Sequence, residues 1–304
     1  MYRFLRTIIF SPINSICKAF LEIFVFDKQI RRILKGKLAQ IYLKKYVRQS
    51  LNAEVEDKKF DNKTIIWQYW EQGMENAPSI VKACVDSVEK YKNGHEHIIL
   101  DRNSIKNYTD IPEYIWDLNQ KGIIKSAHMS DIIRTNLLTK HGGVWIDATV
   151  LLTDDLAEYI TDADLFVFQN DLRIDLDGLN MASYFIASKP HNKILERTQW
   201  LLNKYWKENR FLNNYFMFLH AFTLVSQASK EMKDEFSKIP YFSFLSVQRF
   251  QKELLNKYDE KRWEQIKKVS SVHKLSYKTH VLCKKGEMQI EGTYYEKLIN
   301  GELV

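Results

Sequence analysis

From Lys63 onward, short β-forming runs alternate with helical stretches, and this alternation constrains the fold more than any other feature of the sequence. The runs KTIIWQYW, EHIIL, VWIDATVLL, DLFVF and MASYFIAS are typical of strands, and amphipathic segments typical of helices separate the first three of them. Residues 191–232 have a mostly helical pattern. Strands separated by helices predict an α/β fold with a mostly parallel central sheet.

Two acidic residues fall at the carboxyl ends of these runs, where α/β sheets bind ligands. Asp101 follows EHIIL, and Asp147 follows VWI in the stretch GGVWIDATV. An acid at the end of a buried strand must be solvated, paired or bound to a cation. The preceding helix carries Asp131 and Arg134 three residues apart on one face. They form either a local ion pair or a pair that recognises hydroxyl groups at a pocket edge.

Motifs of several enzyme classes are absent from the sequence: there is no P-loop, GxGxxG, GxSxG or HExxH. The three cysteines have no CxxC spacing and cannot pair fully, which favours a reducing compartment without a zinc ribbon or disulfide framework. Late in the chain, SVHKLSYK brings together His273, Lys274 and Lys278. These residues suit either a metal–phosphate site or a solvated basic strand.

The basic charge of the chain is concentrated at its N-terminus. Residues 1–50 hold eleven Lys/Arg against two acids, whereas the whole chain has a net charge of +7, so the remainder sums to −2. A body of that charge argues against nucleic-acid binding. Apolar residues recur at helical spacing over 13–25, and the charges of Lys18 and Glu22 within that stretch argue against a transmembrane span.

We therefore expect a basic amphipathic helical arm and linker over residues 1–60 and a catalytic domain over residues 61–304, with a polar linker near 50–62. The arm either lies on an anionic cytoplasmic membrane leaflet or packs on the body or on a second subunit.

Four blocks together resemble one family. IIWQYWEQGMENAPSIVKAC, HMSDIIRTNLLTKHGGVWIDATVLL, NMASYFIASKPHNKIL and VHKLSYK occur in the order found in bacterial capsular polysaccharide synthesis glycosyltransferases, relatives of the DXD-containing, Och1-like sugar transferases. The resemblance covers about residues 63–280. It implies a glycosyltransferase-A (Rossmann-like) fold, a nucleotide-sugar donor, a divalent cation, Mn²⁺ or Mg²⁺, and retention of anomeric configuration.

The resemblance also implies roles for individual residues. Asp147 matches the first acid of the DXD motif, near the metal and the diphosphate. Asp131 and Arg134 match the pair that contacts the donor sugar, and Trp67 or Trp70 matches the aromatic residue near the base.

Later residues are matched in the same way. His273 resembles the C-terminal metal ligand and Lys278 the lysine on the diphosphate, while Asn180 and Ser183 lie in the block that lines the sugar or acceptor side.

The sequence departs from the DXD pattern at Thr149, because a neutral hydroxyl is a poorer ligand for a hard cation than a carboxylate. Three explanations stay open. Water completes the coordination, another acid such as Asp154 or Asp155 reaches the metal, or metal dependence is weak.

The function that the sequence predicts is transfer of a hexose or N-acetylhexosamine from a nucleotide-sugar, a UDP-sugar for preference, to a lipid-linked glycan in capsular or cell-surface polysaccharide synthesis. The predicted location is the inner face of the cell membrane, with the protein peripherally associated through residues 1–50 and no nucleic-acid partner. The alternatives are a hydrolase of nucleotide-sugars or glycans, and a degenerate transferase that serves as a scaffold in capsule assembly.

Overall fold

The structure, a computed structural model, describes residues 12–53, 65–170, 178–284, 286 and 289–303. Residues 54–64, which contain most of the expected linker and the expected domain boundary, lie outside this range. The described helices are α1 Pro12–Phe24, α2 Lys28–Leu51, α3 Ser79–Lys90, α4 Glu113–Gln120, α5 Ser126–His141, α6 Glu158–Thr161, α7 Lys193–Glu208, α8 Met217–Ser226, α9 Lys230–Ser237, α10 Phe244–Glu253, α11 Glu260–Val269, α12 Tyr277–Lys284 and α13 Tyr294–Ile299. The strands are β1 Ile65–Tyr69, β2 Glu96–Leu100, β3 Gly143–Ile146, β4 Val150–Leu152, β5 Leu165–Val167, β6 Phe185–Ser188 and β7 Val272–Lys274.

A five-stranded sheet in the order β2-β1-β3-β6-β5 forms the centre of the fold. β1 pairs in parallel with β2 and β3, and β6 pairs antiparallel with β3 and β5. Four strands therefore run in one direction and β6 runs against them. This confirms the predicted α/β fold with a mostly parallel sheet, since β1, β2 and β3 are joined by helical crossovers.

The run VWIDATVLL is two strands, so its prediction as one strand is wrong. The amide of Val150 donates to the carbonyl oxygen of Asp147 at 2.8 Å, and the chain turns at residues 147–149. β4 then leaves the central sheet and pairs antiparallel with β7, with Leu151 opposite His273. The turn places Asp147 at the carboxyl end of β3, between the two sheets.

Helix α2 is part of the body. Leu43 and Tyr46 are fully buried in the same hydrophobic cluster as Tyr205 of α7, whose ring centroid lies 5.6 Å from that of Tyr46. The hydrophobic core therefore continues from α2 into the part of the chain that contains the sheet, and the expected domain boundary between residues 60 and 61 would divide it. Of the two alternatives for the arm, packing on the body describes α2.

Helix α1 leaves a row of large apolar side chains exposed. Ile16, Phe20 and Ile23 are each more than half exposed. Among the described residues, no helix combines the length and the apolar character that a membrane crossing requires.

Candidate active site

Two carboxylates and a guanidinium meet beyond the carboxyl end of β3. Arg134 Nη2 donates to Asp147 Oδ1 at 3.0 Å, and Arg134 Nη1 donates to Asp131 Oδ1. Helix α5 brings Asp131 and Arg134 to one face because they are three residues apart. The structure thus brings together the three residues that the sequence singled out, and one arginine links both acids.

Aromatic rings hold Arg134 in place. Its side chain is buried, and its guanidinium carbon lies 5.1 Å from the ring centroid of Trp145 and 5.8 Å from that of Phe218. Cation–π contacts with these two rings and the ion pairs with the two acids restrict the movement of the guanidinium. Arg134 is therefore a fixed positive charge.

Asp147 is the most accessible of these groups, with 23% of its side chain exposed. Trp145 Nε1 donates to its Oδ1 at 2.8 Å, and Lys274 Nζ lies 3.4 Å from its Oδ2. Burial raises the pKa of this carboxyl, but the charges of Arg134 and Lys274 outweigh burial and hold the pKa below its ordinary value. Asp147 is therefore an ionised acceptor at neutral pH.

A hydrogen-bonded chain from α7 fixes Asp131. Trp206 Nε1 donates to His128 Nε2 at 2.9 Å, and because an indole nitrogen is only a donor, Nε2 must accept. His128 is therefore the neutral tautomer with its proton on Nδ1, which lies 3.2 Å from Asp131 Oδ2 and donates to it. Trp206 and His128 orient Asp131, a role that their sequence positions did not reveal.

Lys274, rather than Lys278, is the lysine beside Asp147. Besides approaching Asp147, its ammonium donates to Thr149 Oγ1, across the pairing of β4 with β7. Lys278 is exposed on α12, and no described contact joins it to Asp147. Residues 273 and 274 are neighbours in a strand and face opposite sides, so only one of them can reach the site.

His273, expected to be a metal ligand, is the residue that faces away from Asp147. It is fully buried, with its ring centroid 5.5 Å from that of Phe250 and 6.0 Å from that of Trp263, and its Nε2 lies 3.2 Å from Thr153 Oγ1. Burial lowers the pKa of His273 to about 3. The imidazole is a neutral core side chain.

The described residues do not assemble a metal centre around Asp147. No group of three or more His, Cys, Asp or Glu able to hold a metal occurs among them, and Asp154 and Asp155 are exposed. Lys274 contacts both Asp147 and Thr149, the two positions that the sequence resemblance matches to the acids of a DXD motif. The donor set does not fit a divalent cation held by this chain alone, and dependence on Mn²⁺ or Mg²⁺ stays a prediction.

Of the two tryptophans expected near a base, Trp67 lies in the core. It is 1% exposed, and its Nε1 donates to the carbonyl oxygen of Gly142 at 2.9 Å, so neither ring face is open to a base. Trp70 is partly exposed just after β1, with its ring centroid 6.2 Å from that of Tyr277. Trp70 therefore remains the candidate.

Asn180 serves the core rather than a sugar pocket. Its Oδ1 accepts from Thr223 Oγ1 at 2.8 Å, and its Nδ2 donates to Ser226 Oγ at 2.8 Å, both on α8. Asn180 is buried, and its side-chain amide binds on both sides, which is a physical reason to withdraw it from the sugar-lining set. Ser183 is partly exposed in the turn before β6.

A groove of 490 Å³ lies at the carboxyl ends of β1 and β2, lined in part by Gly73, Asp101 and Ser104. Asp101 Oδ1 accepts from Ser104 Oγ at 2.7 Å and from the Ser104 amide at 2.8 Å, which closes the loop after β2. β2, β1 and β3 are adjacent parallel strands, and Asp101 and Asp147 follow the outer two of them, β2 and β3. The axes of these two strands lie about 10 Å apart. The groove and the charged cluster therefore share one edge of the sheet.

Three comparisons relate this chain to known proteins. A solved structure, PaToxG glycosyltransferase, is 16% identical with a TM-score of 0.39, over 91% of this chain and 96% of that chain. An uncharacterized glycosyltransferase of Acanthamoeba polyphaga mimivirus is 26% identical over 135 residues, which are 43% of this chain and 52% of that protein. This chain thus spans about half the length of that curated relative. The model of the family described as capsular polysaccharide synthesis protein matches residues 21–298, and the chain belongs to that family.

Proposed function

We propose that the protein is a retaining glycosyltransferase that moves a hexose or N-acetylhexosamine from a UDP-sugar to a lipid-linked glycan. The observation that carries the proposal is the cluster of Asp131, Arg134, Asp147 and Lys274 at the ligand-binding edge of an α/β sheet. Membership of the capsular polysaccharide synthesis protein family and the mimivirus relative named a glycosyltransferase support it. A glycosyltransferase-A fold is part of the same proposal.

The charges of the cluster suit a diphosphate leaving group. Arg134 and Lys274 balance Asp131 and Asp147, so the site presents no net negative charge to an incoming diphosphate. An ammonium has three N–H donors, and Lys274 uses two of them on Asp147 and Thr149. The third is left for a phosphate oxygen, where it stabilises charge that develops as the bond to the sugar breaks.

The proposed reaction is a direct displacement at the anomeric carbon. A bond forms from the acceptor hydroxyl oxygen to C1 of the sugar, the bond from C1 to the phosphate oxygen breaks, and the hydroxyl proton passes to that phosphate oxygen. Attack from the same face as the departing diphosphate retains the anomeric configuration without a protein nucleophile. Asp131 and Arg134 bind sugar hydroxyls and hold C1 in place.

The nucleoside is assigned to the groove beside Asp101, with Trp70 as the aromatic residue near the base. The parallel order of β2, β1 and β3 supports this assignment, since it lines up the groove, Trp70 and Asp147 along one edge. Ser183 stays a candidate on the acceptor side.

A panel of nucleotide-sugars tests the proposal, each incubated with a synthetic lipid-diphosphate-linked monosaccharide and with Mn²⁺, Mg²⁺ or chelator. We expect one donor class to be consumed with formation of a lengthened glycan. Asp147→Asn should lower turnover about 100-fold or more, as removal of one electrostatic group at a reacting centre does. Asp117→Asn on the exposed face of α4 is the matched control and should behave like wild type.

Three outcomes contradict the proposal. If Asp147→Asn kept wild-type turnover and nucleotide binding, Asp147 would not belong to the active site. Release of free sugar at the same rate without acceptor would indicate a hydrolase. If the folded protein consumed no donor in the panel, the result would favour the alternative of a degenerate transferase that serves as a scaffold.

A further inference from the structure

A second pocket lies away from the charged cluster, between α1, α2 and the segment that leads into α8. It has a volume of 530 Å³. Five basic residues and one acid are among the residues that line it. The basic residues are Lys18, Lys28, Arg31, Arg32 and Lys35, and the acid is Glu22. None of these residues takes part in the proposed reaction.

The positive charge in this pocket is concentrated beyond what its one acid offsets. Glu22 accepts from both Arg31 and Lys35. Lys18 is turned inward, with its Nζ 3.1 Å from Asn213 Oδ1, and burial together with the charge of Lys35 lowers the pKa of Lys18 to about 8. Such crowding of cations around one volume is relieved by a bound anion.

Exposed aromatic side chains lie next to residues that line this pocket. Phe24, the last residue of α1, is 61% exposed, Phe26 just after it is 88% exposed, and Tyr215, which lines the pocket, is 68% exposed. The turn that presents Phe26 is held by Arg31, whose Nε donates to the carbonyl oxygen of Val25 at 3.0 Å. Aromatic rings are thus displayed next to cations on an ordered turn.

We propose that this surface docks on a bilayer that contains anionic phospholipid, with a lipid phosphate in the basic pocket and the exposed rings among the acyl chains. Apolar side chains next to Lys and Arg are the pattern of interfacial membrane binding. A nucleic acid, by contrast, needs cations along a track of several phosphates, whereas these cations surround a single volume.

The docking surface lies close to the proposed site of transfer. Phe216, which precedes α8, and His220 on α8 line the pocket, while Phe218 between them contacts Arg134. A lipid surface against the pocket would bring a lipid-linked acceptor to the other side of one helix. This consequence rests on the proposed function, but the docking itself does not depend on chemistry at Asp147.

Vesicle flotation tests the docking, with phosphatidylcholine alone and with phosphatidylcholine that contains phosphatidylglycerol. The full-length protein should float only with the anionic vesicles. The double variant Lys28→Gln with Arg32→Gln should bind about 25-fold more weakly, since each basic residue near an anionic surface contributes about fivefold. The control Lys261→Gln with Lys268→Gln, on exposed positions of α11, makes the same change of charge and should bind like wild type.

Further arms separate the possible results. Phe26→Ser should weaken vesicle binding without changing the melting temperature, and Asp147→Asn should float like wild type even if it is inactive. Equal binding to both vesicle types, or wild-type binding by the Lys28/Arg32 variant, overturns the proposal. Tight binding of inorganic phosphate by a protein that does not float also overturns it and indicates a soluble anion.

Discussion

The ammonium of Lys274 touches the carboxylate of Asp147 and the hydroxyl of Thr149, the two side chains that bracket the turn after β3. Replacing it with methionine keeps the length of the side chain and removes the charge. We expect kcat/KM for the donor to fall about 10- to 100-fold, because a hydrogen bond to a charged group contributes about 1.5–3 kcal/mol. Steady-state kinetics with varied donor measures the effect.

Lys278→Met is the control for this prediction. Lys278 is exposed and is four residues further along the chain, so the substitution removes the same charge without touching the cluster. Its kcat/KM should stay within about twofold of wild type. A larger loss in Lys278→Met than in Lys274→Met would return the role to the residue that the sequence resemblance indicated.

His273 gives a prediction about pH. Its pKa is about 3 in the folded chain and about 6.5 in the unfolded chain, so below pH 6.5 the unfolded chain binds a proton that the folded chain does not. The free energy of unfolding therefore falls as the pH decreases from about 6.5 toward 3. Wild type should lose about 2 kcal/mol more than His273→Leu between pH 7 and pH 5.

Urea unfolding at the two pH values measures this difference. The same variant tests whether His273 binds a metal. If the buried imidazole is not a ligand, replacing it leaves metal dependence unchanged. If His273→Leu retained the full acid sensitivity, or lost a metal requirement that wild type has, His273 would not be the core residue described above.

At the scale of elements, the glycine that begins β3 determines how the strand enters the sheet. Gly143 has φ +97°, and a Cβ added there would lie 2.1 Å from the carbonyl oxygen of Ile65 on β1. We expect Gly143→Ala to lower the free energy of unfolding by about 3 kcal/mol or more, because backbone strain and a clash with the neighbouring strand add. Thermal or urea unfolding measures it.

Gly94→Ala is the matched control for the glycine prediction. Gly94 also has positive φ, +76°, but nothing lies within 4 Å of an added Cβ. Its cost should be limited to conformational strain, about 1 kcal/mol. If both variants lost the same free energy of unfolding, the close approach of β3 to β1 would not be the reason for a glycine at position 143.

The strands also show which parts of the site the sequence could predict. Asp131, Arg134 and Asp147 were predictable because they lie on one helix face and at one strand end, where the periods of 3.6 and 2 fix direction. The choice between His273 and Lys274 was not, because it depends on which face of β7 meets β4, and a one-residue shift in register exchanges the two. Only the pairing of Leu151 with His273 decides it.

At the scale of the whole molecule, the two N-terminal helices share a basic character but differ in how they bury their apolar side chains. Basic residues run through both α1 and α2, yet α1 exposes its apolar side chains while α2 buries one face against α7 and α8. On α2 the apolar side chains of Ile30 and Ile41 are exposed, whereas those of Leu43 and Tyr46 are buried. The prediction of a helical arm over residues 1–60 could not identify what α2 packs against, because both faces of α2 carry apolar residues.

Two positions on α2 test whether arm and body form one folding unit. Leu43 is fully buried in the cluster shared with α7, whereas Ile41, two residues away, is 63% exposed. Leu43→Ala should lower the free energy of unfolding of the whole protein by about 2–5 kcal/mol, and Ile41→Ala should change it by no more than about 0.5 kcal/mol.

Circular dichroism and tryptophan fluorescence should report one coincident transition for both α2 variants. The tryptophans lie in the body, at residue 67 and beyond, so a fluorescence midpoint that falls with Leu43→Ala couples α2 to the sheet. An independent arm predicts the opposite: fluorescence would keep its midpoint while helical signal melted earlier. Coupling of this kind would also fix the basic pocket relative to the charged cluster, because α2 forms one wall of the pocket and α8, which contacts Arg134, lies against it.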